Sequence, residues 1–162
     1  MRVMGIDPGI ERTGFAILEV IGGKTHLLDF GRILTDKKDP FSHRLNTLAC
    51  DLKKLLKKWR PAAAGLEEVF FSKNVKTAIK VSHARGVILE TLEEHGIAIY
   101  EFNPAHVKMA VTGDGRADKF QIKKMVKYLL GVDLKRDDTA DAIACGLMLT
   151  QLTTNNLQLT TK

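Results

Sequence analysis

The 162-residue chain is poor in cysteine, proline and aromatic side chains, and it has no long apolar run. Its two cysteines, Cys50 and Cys145, stand far apart in segments with a helical pattern, which argues against a disulfide or a cysteine metal site and indicates small buried residues. No stretch approaches the roughly 18 apolar residues of a membrane span. The N-terminus, MRVMGIDPG, lacks the apolar segment of a secretory signal, so we expect a cytoplasmic protein with no membrane partner.

The charge balance is basic. Lysine and arginine number 25 against 19 acidic residues, for a net charge of +6 and an isoelectric point near 9.4. A balance of this kind is typical of nucleic-acid-binding domains, although many basic proteins bind nothing acidic. The length suits one domain. We place that domain at residues 1–152 and expect the polar, low-complexity residues 153–162 to form a disordered tail.

Apolar runs and the residues that interrupt them predict three strands, followed by strands that alternate with helices. The predicted strands are residues 2–7, 13–20, 26–34, 62–67 and 97–102. The predicted helices are one from Pro40, capped by Asp39, to Pro61, then 74–95, 104–111, one from the Asp118 cap to Gly131, and one from Asp137 or Asp138 to about Leu152. This order predicts an α/β fold in which a mixed sheet carries helices on both faces.

Four carboxylates stand at positions that suggest a site. Asp7 and Glu67 each end an apolar strand, at the edge of the sheet where ligands gather in α/β folds. Asp138 and Asp141 are three residues apart at the start of the last helix and therefore share a face. Taken singly, Asp7 suits an ordinary turn, Glu67 a solvated strand end beside Glu68, and Asp138 a helix cap. Asp141 is explained least well, because its neighbours on the helix are apolar.

Acids from two strand ends and one helix could converge on one spot, where they would repel one another unless divalent cations lay between them. Carboxylate oxygens are hard ligands that suit Mg²⁺ or Mn²⁺. Two such ions about 3.5–4 Å apart stabilise both the attacking and the leaving oxygen in phosphodiester cleavage. An acidic metal pocket on a basic protein is the combination that a nuclease requires.

Five segments in order resemble the RuvC family of bacterial Holliday junction resolvases: GIDPGIERTGF, GLEEVFFSKN, KVSHARGVIL, NPAHVKMAVTGDGRADK and DDTADAIACG. Each segment alone is a weak signal, but the ordered set across residues 2–150 is specific. The resemblance implies a ribonuclease H-like fold with a five-stranded mixed sheet, in which a three-stranded antiparallel meander is joined by parallel strands.

The same resemblance implies a structure-selective endonuclease of DNA recombination and repair. It implies a homodimer that binds a four-way DNA junction, cuts two strands of like polarity symmetrically and leaves 5′-phosphate and 3′-hydroxyl ends. The implied cofactor is Mg²⁺, at two ions per active site, with Mn²⁺ as the alternative. The implied partners are the junction-migration proteins RuvA and RuvB.

Residue by residue, the resemblance assigns catalysis and metal ligation to the four acids Asp7, Glu67, Asp138 and Asp141. It assigns DNA contacts to Phe70, Lys73, Lys108 and Lys119, with Phe70 stacking on a base. The alternative for the phenylalanine is core packing, and for the helical lysines an ordinary solvated face. The chain departs from the family at Ile10, where a small hydroxyl residue is common, which puts a hydrogen bond from that side chain to DNA in doubt.

Three other functions are compatible with parts of the sequence. An actin-like or sugar-kinase ATPase also opens with a strand, G-I-D-x-G and a threonine–glycine pair, but such folds duplicate the domain and need a second phosphate loop. A non-catalytic DNA-binding module would be expected to lack one of the acids. Another ribonuclease H-like nuclease, acting on hybrid or differently branched substrates, shares the fold and is not excluded by it.

Overall fold

Five strands form one mixed sheet in the order β3-β2-β1-β4-β5. The computed structural model describes residues 1–68, 75–134 and 139–159, and for residues 75–77 and 155–159 the backbone alone. The elements are β1 (Arg2–Asp7), β2 (Arg12–Ile21), β3 (Lys24–Leu34), α1 (Phe41–Trp59), β4 (Ala63–Glu67), α2 (Val75–Glu94), β5 (Ala98–Phe102), α3 (Pro104–Thr112), α4 (Lys119–Leu130) and α5 (Ala140–Leu159).

The strand pairing agrees with the predicted architecture. β1, β2 and β3 form an antiparallel meander, in which Ile6 lies opposite Phe15. β4 pairs parallel to β1, with Leu66 opposite Ile6, and β5 pairs parallel to β4, with Phe102 opposite Glu67. The C-terminal ends of β1, β4 and β5 therefore meet at one edge of the sheet.

Alternating side chains of the central strands supply two separate cores. Val3, Ala16 and Leu18 project to one face and pack with buried residues of α3, α4 and α5. Met4, Ile6 and other residues that alternate with these along the strands project to the second face and pack with α1 and α2. The sheet is thus covered on both faces, as the order of elements predicts.

The helix α5 lies directly against the backbone of β1 and β4. A Cβ atom placed on Gly5 would overlap the carbonyl oxygen of Ala142 and lie 2.5 Å from the amide nitrogen of Gly146. A Cβ atom on Gly65 would lie 3.2 Å from the carbonyl oxygen of Cys145. The two strand glycines leave the space into which the helix backbone fits.

Predicted helix boundaries are confirmed where local capping decides them. The side chain of Asn103 accepts a hydrogen bond from the amide of Ala105 at the start of α3. Asp118 and Gln121 form a reciprocal capping box at the start of α4. Gly131 ends α4 with a positive φ of 71°.

Three predictions about α1 are wrong. The helix begins at Phe41 with Pro40 in the N-cap position, and no side chain caps it, so Asp39 is not the cap. The ψ of Pro40 is 141°, outside the helical range, which excludes the proline from the first turn. Cys50 is exposed rather than buried, because it points away from the apolar stripe that meets the core at Leu48.

The last helix is longer than predicted. It begins at Ala140 and extends to Leu159, beyond the expected end near Leu152. Residues 160–162 lie outside the described part of the chain, and the division into a domain of residues 1–152 and a tail of 153–162 stays a prediction. Among the helices described, none combines the length and apolar character required to cross a membrane.

Replacement of Gly5 by alanine is expected to destabilise the protein by about 2 kcal/mol or more, because the new methyl group would press on backbone atoms of α5 that cannot turn aside. Gly65→Ala is the matched control. The nearest atom to its new methyl group is Cε2 of the Phe102 ring, at 2.8 Å, and the nearest backbone atom of α5 is the carbonyl oxygen of Cys145, at 3.2 Å, farther away than the backbone atoms that a methyl group on Gly5 would meet. Urea denaturation should therefore show a smaller loss for Gly65→Ala. Equal losses, or no loss for Gly5→Ala, would contradict the direct contact between α5 and β1.

Candidate active site

Asp7 and Glu67 lie beside one another at the C-terminal ends of β1 and β4. The residues before them, Ile6 and Leu66, are paired in the parallel ladder. Side chains alternate along a strand, so each acid projects to the same face as the glycine two residues earlier, which is the face covered by α5. Both acids are half-buried.

Asp141 approaches the same edge from α5. It lies in the first turn of that helix, next to Ala142, whose carbonyl oxygen meets β1. The exposed amide groups of a helix N-terminus favour a carboxylate at this position. Nζ of Lys119, the first residue of α4, lies 3.4 Å from Oδ2 of Asp141. The capping box of α4 fixes the backbone from which this lysine extends.

The charges of these groups act on one another. Burial raises the pKa of Glu67 above its ordinary value, and the negative charge of Asp141 raises that pKa further. The positive charges of Lys108 and Lys119 lower it in part. A carboxyl whose pKa is raised by burial and by a second carboxylate is typical of a site at which an added cation would hold both groups in their charged form.

Cys145 lies one turn after Asp141 in α5 and is 1% exposed. Burial raises the pKa of its thiol well above the ordinary value, and the negative charges of Glu67, Asp7 and Asp141 add to this effect. Three acids distant in the sequence therefore act on one thiol, which locates them together around the first turns of α5. The thiol remains neutral and fills the core, as predicted for this cysteine.

The structure brings five of the predicted site residues together, namely Asp7, Glu67, Asp141, Lys108 and Lys119. The other three, Asp138, Phe70 and Lys73, lie outside the described residues. Within residues 1–68, 75–134 and 139–159, no group of three or more histidine, cysteine, aspartate or glutamate side chains is placed to hold a metal ion.

The small residues that make room for α5 were not connected with the site by the sequence reasoning. Gly5 and Gly65 each stand two positions before a strand-end acid, in neighbouring strands, and this repeated spacing is the signal that could have identified them. Arg85 of α2 forms an ion pair with Glu101 of its own chain.

The sequence matches a known family over nearly its whole length. A model described as "Crossover junction endodeoxyribonuclease RuvC" matches residues 3–149. The proteins of that name from Caldicellulosiruptor saccharolyticus and Ruminiclostridium cellulolyticum are 47% and 44% identical to this chain, over 150 and 149 residues. Each alignment covers 91% of this chain and 90% of the relative.

Solved structures agree with the sequence match. Thermus thermophilus RuvC in complex with a Holliday junction substrate is 34% identical, with a TM-score of 0.85 and 91% of each chain covered. A second structure of Thermus thermophilus RuvC is 32% identical, with a TM-score of 0.86, covering 96% of this chain and 97% of the other. These similarities confirm the predicted ribonuclease H-like fold.

The family match also bears on the other functions considered. It favours neither the ATPase nor the non-catalytic module, because the matching proteins are named as endodeoxyribonucleases. Nucleases of the matching family depend on divalent metal ions. Because the match spans residues 3–149 and the relatives share more than two-fifths of their residues with it, the chain belongs to the RuvC family of crossover junction endodeoxyribonucleases, which hydrolyse phosphodiester bonds in DNA.

Proposed function

We propose that this protein resolves four-way DNA junctions in recombination and repair, by cutting two strands of like polarity symmetrically and leaving 5′-phosphate and 3′-hydroxyl ends. The observation that carries the proposal is the meeting of Asp7, Glu67 and Asp141 at one edge of the sheet, with two lysines beside them. The structure of Thermus thermophilus RuvC with its Holliday junction substrate, which shares this fold at 34% identity, supports the choice of substrate.

The acids would hold Mg²⁺, with two ions at each site and Mn²⁺ as the alternative. Three observations support the fit: the donors are hard carboxylate oxygens, two of them extend from adjacent strands, and burial together with the nearby charge of Asp141 raises the pKa of Glu67. Asp138 would complete the set from the segment before α5. When bound, such ions supply positive charge to the attacking and leaving oxygens of the phosphodiester.

The role of each side chain follows from the strand or helix that carries it. Asp7 and Glu67 extend from paired strands and fix two carboxylates relative to each other, and Asp141 adds a third from α5. Lys119 offsets part of the charge of Asp141 and lies at the open side of the site, since its side chain is 63% exposed. Lys108 and Lys119 would bind DNA phosphates there, with Lys73 as a further phosphate contact and Phe70 stacking on a base near the cut.

Cutting two strands symmetrically requires two active sites, so the proposed working form is a homodimer. The remaining assignments follow from family resemblance. They are cooperation with the junction-migration proteins RuvA and RuvB and a location in the cytoplasm.

Loss of a single carboxylate at the proposed site should abolish cleavage and leave junction binding largely intact. Asp7→Asn and Glu67→Gln each remove one charge without changing the size of the side chain. Glu68→Gln is the matched control, because Glu68 is the exposed neighbour of Glu67. The assay uses a labelled mobile junction and linear duplex DNA, each with and without Mg²⁺. Paired nicks in the junction alone, lost without Mg²⁺, are expected for the wild type and Glu68→Gln. Cleavage by Asp7→Asn would contradict the proposed site.

Glu67→Gln should also make the metal-free protein more stable at neutral pH. The fold raises the pKa of Glu67, so ionisation of this carboxyl destabilises the folded state at any pH above its ordinary pKa of about 4. In EDTA the variant should therefore have the higher free energy of unfolding at pH 7, and its advantage should disappear as the pH falls below that ordinary value.

Addition of Mg²⁺ should reverse this order by stabilising the wild type, because a ligand that binds only the folded state raises the free energy of unfolding. Urea denaturation in EDTA and in Mg²⁺ measures both effects. Equal stabilisation of Glu67→Gln by Mg²⁺ would show that this carboxylate is not a ligand.

Lys108→Gln should weaken junction binding and make it less sensitive to salt. Each lost phosphate contact lowers the slope of log affinity against log salt concentration by about 1. Lys54→Gln is the control, because Lys54 pairs with Asp51 on α1, on the other face of the sheet. Binding is measured by fluorescence anisotropy in EDTA at several salt concentrations. An unchanged slope for Lys108→Gln would remove this lysine from the DNA-binding surface.

A further inference from the structure

We propose that Arg44 is a positioning residue for catalysis, which acts through Thr35 to fix the loop of residues 8–11 and thereby the carboxylate of Asp7. This inference rests on the proposed function, because it takes Asp7 as a catalytic group. Arg44 belongs to α1, on the face of the sheet opposite α5. Its influence on the site would therefore pass through the loop.

The loop between β1 and β2 is held at three consecutive backbone carbonyls. Oγ1 of Thr13 donates a hydrogen bond to the carbonyl oxygen of Gly9 at 2.6 Å. Oγ1 of Thr35 donates to the carbonyl oxygen of Ile10. The backbone amide of Thr35 donates to the carbonyl oxygen of Glu11 at 3.2 Å. The peptide planes that carry the carbonyl groups of Gly9, Ile10 and Glu11 cannot rotate without breaking one of these bonds, so this part of the loop after Asp7 has little freedom to move.

Side chains of the loop anchor it on two further sides. Ile10 is 8% exposed and packs into the core between the sheet and the helices α1 and α2. Glu11 forms an ion pair with Lys37, at 2.9 Å between Oε2 and Nζ. The burial of Ile10 explains the departure from the family at position 10 in structural terms, because an apolar side chain there anchors the loop in the core.

Arg44 orients the hydroxyl group of Thr35, which bonds the middle one of the three loop carbonyls, that of Ile10. Its Nε donates to Oγ1 of Thr35 at 3.0 Å. A hydroxyl has one proton and two lone pairs, and a guanidinium can only donate. The arginine therefore occupies a lone pair of Thr35 and leaves the hydroxyl proton to bond Ile10. Because the donor is charged, this hydrogen bond is stronger than one between neutral groups.

The stability of the fold alone does not explain an arginine at position 44. Arg44 is 6% exposed, and within the described part of the chain its Nη2 is buried with no hydrogen-bond partner. A buried polar nitrogen without a partner destabilises a fold, and an apolar side chain of similar length would avoid that cost. Orientation of the Thr35 hydroxyl is a role that an apolar side chain could not take.

The test compares Arg44→Met, Thr35→Val and the double variant in single-turnover cleavage of a mobile junction, with junction affinity and Mg²⁺ dependence measured in parallel. Each single variant should cut about 10- to 100-fold more slowly, because small displacements of a catalytic group have effects of this size. Junction affinity should stay near that of the wild type, and half-maximal cleavage should need more Mg²⁺. The double variant should be no slower than the slower single variant, because the two residues act in series.

Two further variants separate positioning from a general structural effect. Thr35→Ser keeps the hydroxyl and should restore the wild-type rate. Arg2→Met is the control, because Arg2 is likewise an arginine held by its neighbours, the carbonyl oxygen of Trp59 and the carboxylate of Glu19, but it lies at the opposite end of β1. It should cut junctions at the wild-type rate.

Several outcomes would overturn the proposal: cleavage at the wild-type rate by Thr35→Val, multiplied defects in the double variant, or a loss of rate that matches a loss of junction affinity. If Arg44→Met fails to fold, the comparison of Thr35→Val with Thr35→Ser decides on its own. Failure of the proposed function looks different, because the wild type itself would then leave the junction uncut.

Discussion

The close contact between α5 and the backbone of β1 is the constraint on which the rest of the site depends. Gly5 lets the carbonyl oxygen of Ala142 approach the strand directly, and Asp141 is the residue before Ala142. A side chain between helix and strand would move Asp141 away from Asp7 and Glu67. The position of α5 against β1 therefore also determines where the carboxylate of Asp141 lies.

The acids of the site lie close together although their negative charges repel one another. Burial and the charge of Asp141 raise the pKa of Glu67, which means that the fold keeps this carboxyl where its ionised form is disfavoured. Two buried cores, one on each face of the sheet, provide the stability that offsets this cost. Lys108 and Lys119 reduce the repulsion only in part, which leaves the site attractive to cations although the protein as a whole is basic.

The sequence predicts the order of elements well because apolar runs, glycines and prolines act locally. Asn103 and Asp118 reveal their capping roles for the same reason, since each bonds an amide within three residues. Asp39 has the right type and place for a cap and fails, because the backbone of Pro40 leaves the helical range. The contact of Gly5 with α5 was not predictable in this way, because it joins segments separated by most of the chain.

That separation has a consequence for biosynthesis. Contacts between distant segments form slowly, because the entropy of loop closure is lost before such contacts can stabilise the fold. A chain emerging from the ribosome carries β1 and β4 well before α5 has been synthesised. A nascent chain, or a copy that ends before α5, therefore lacks Asp141 and cannot complete the proposed site.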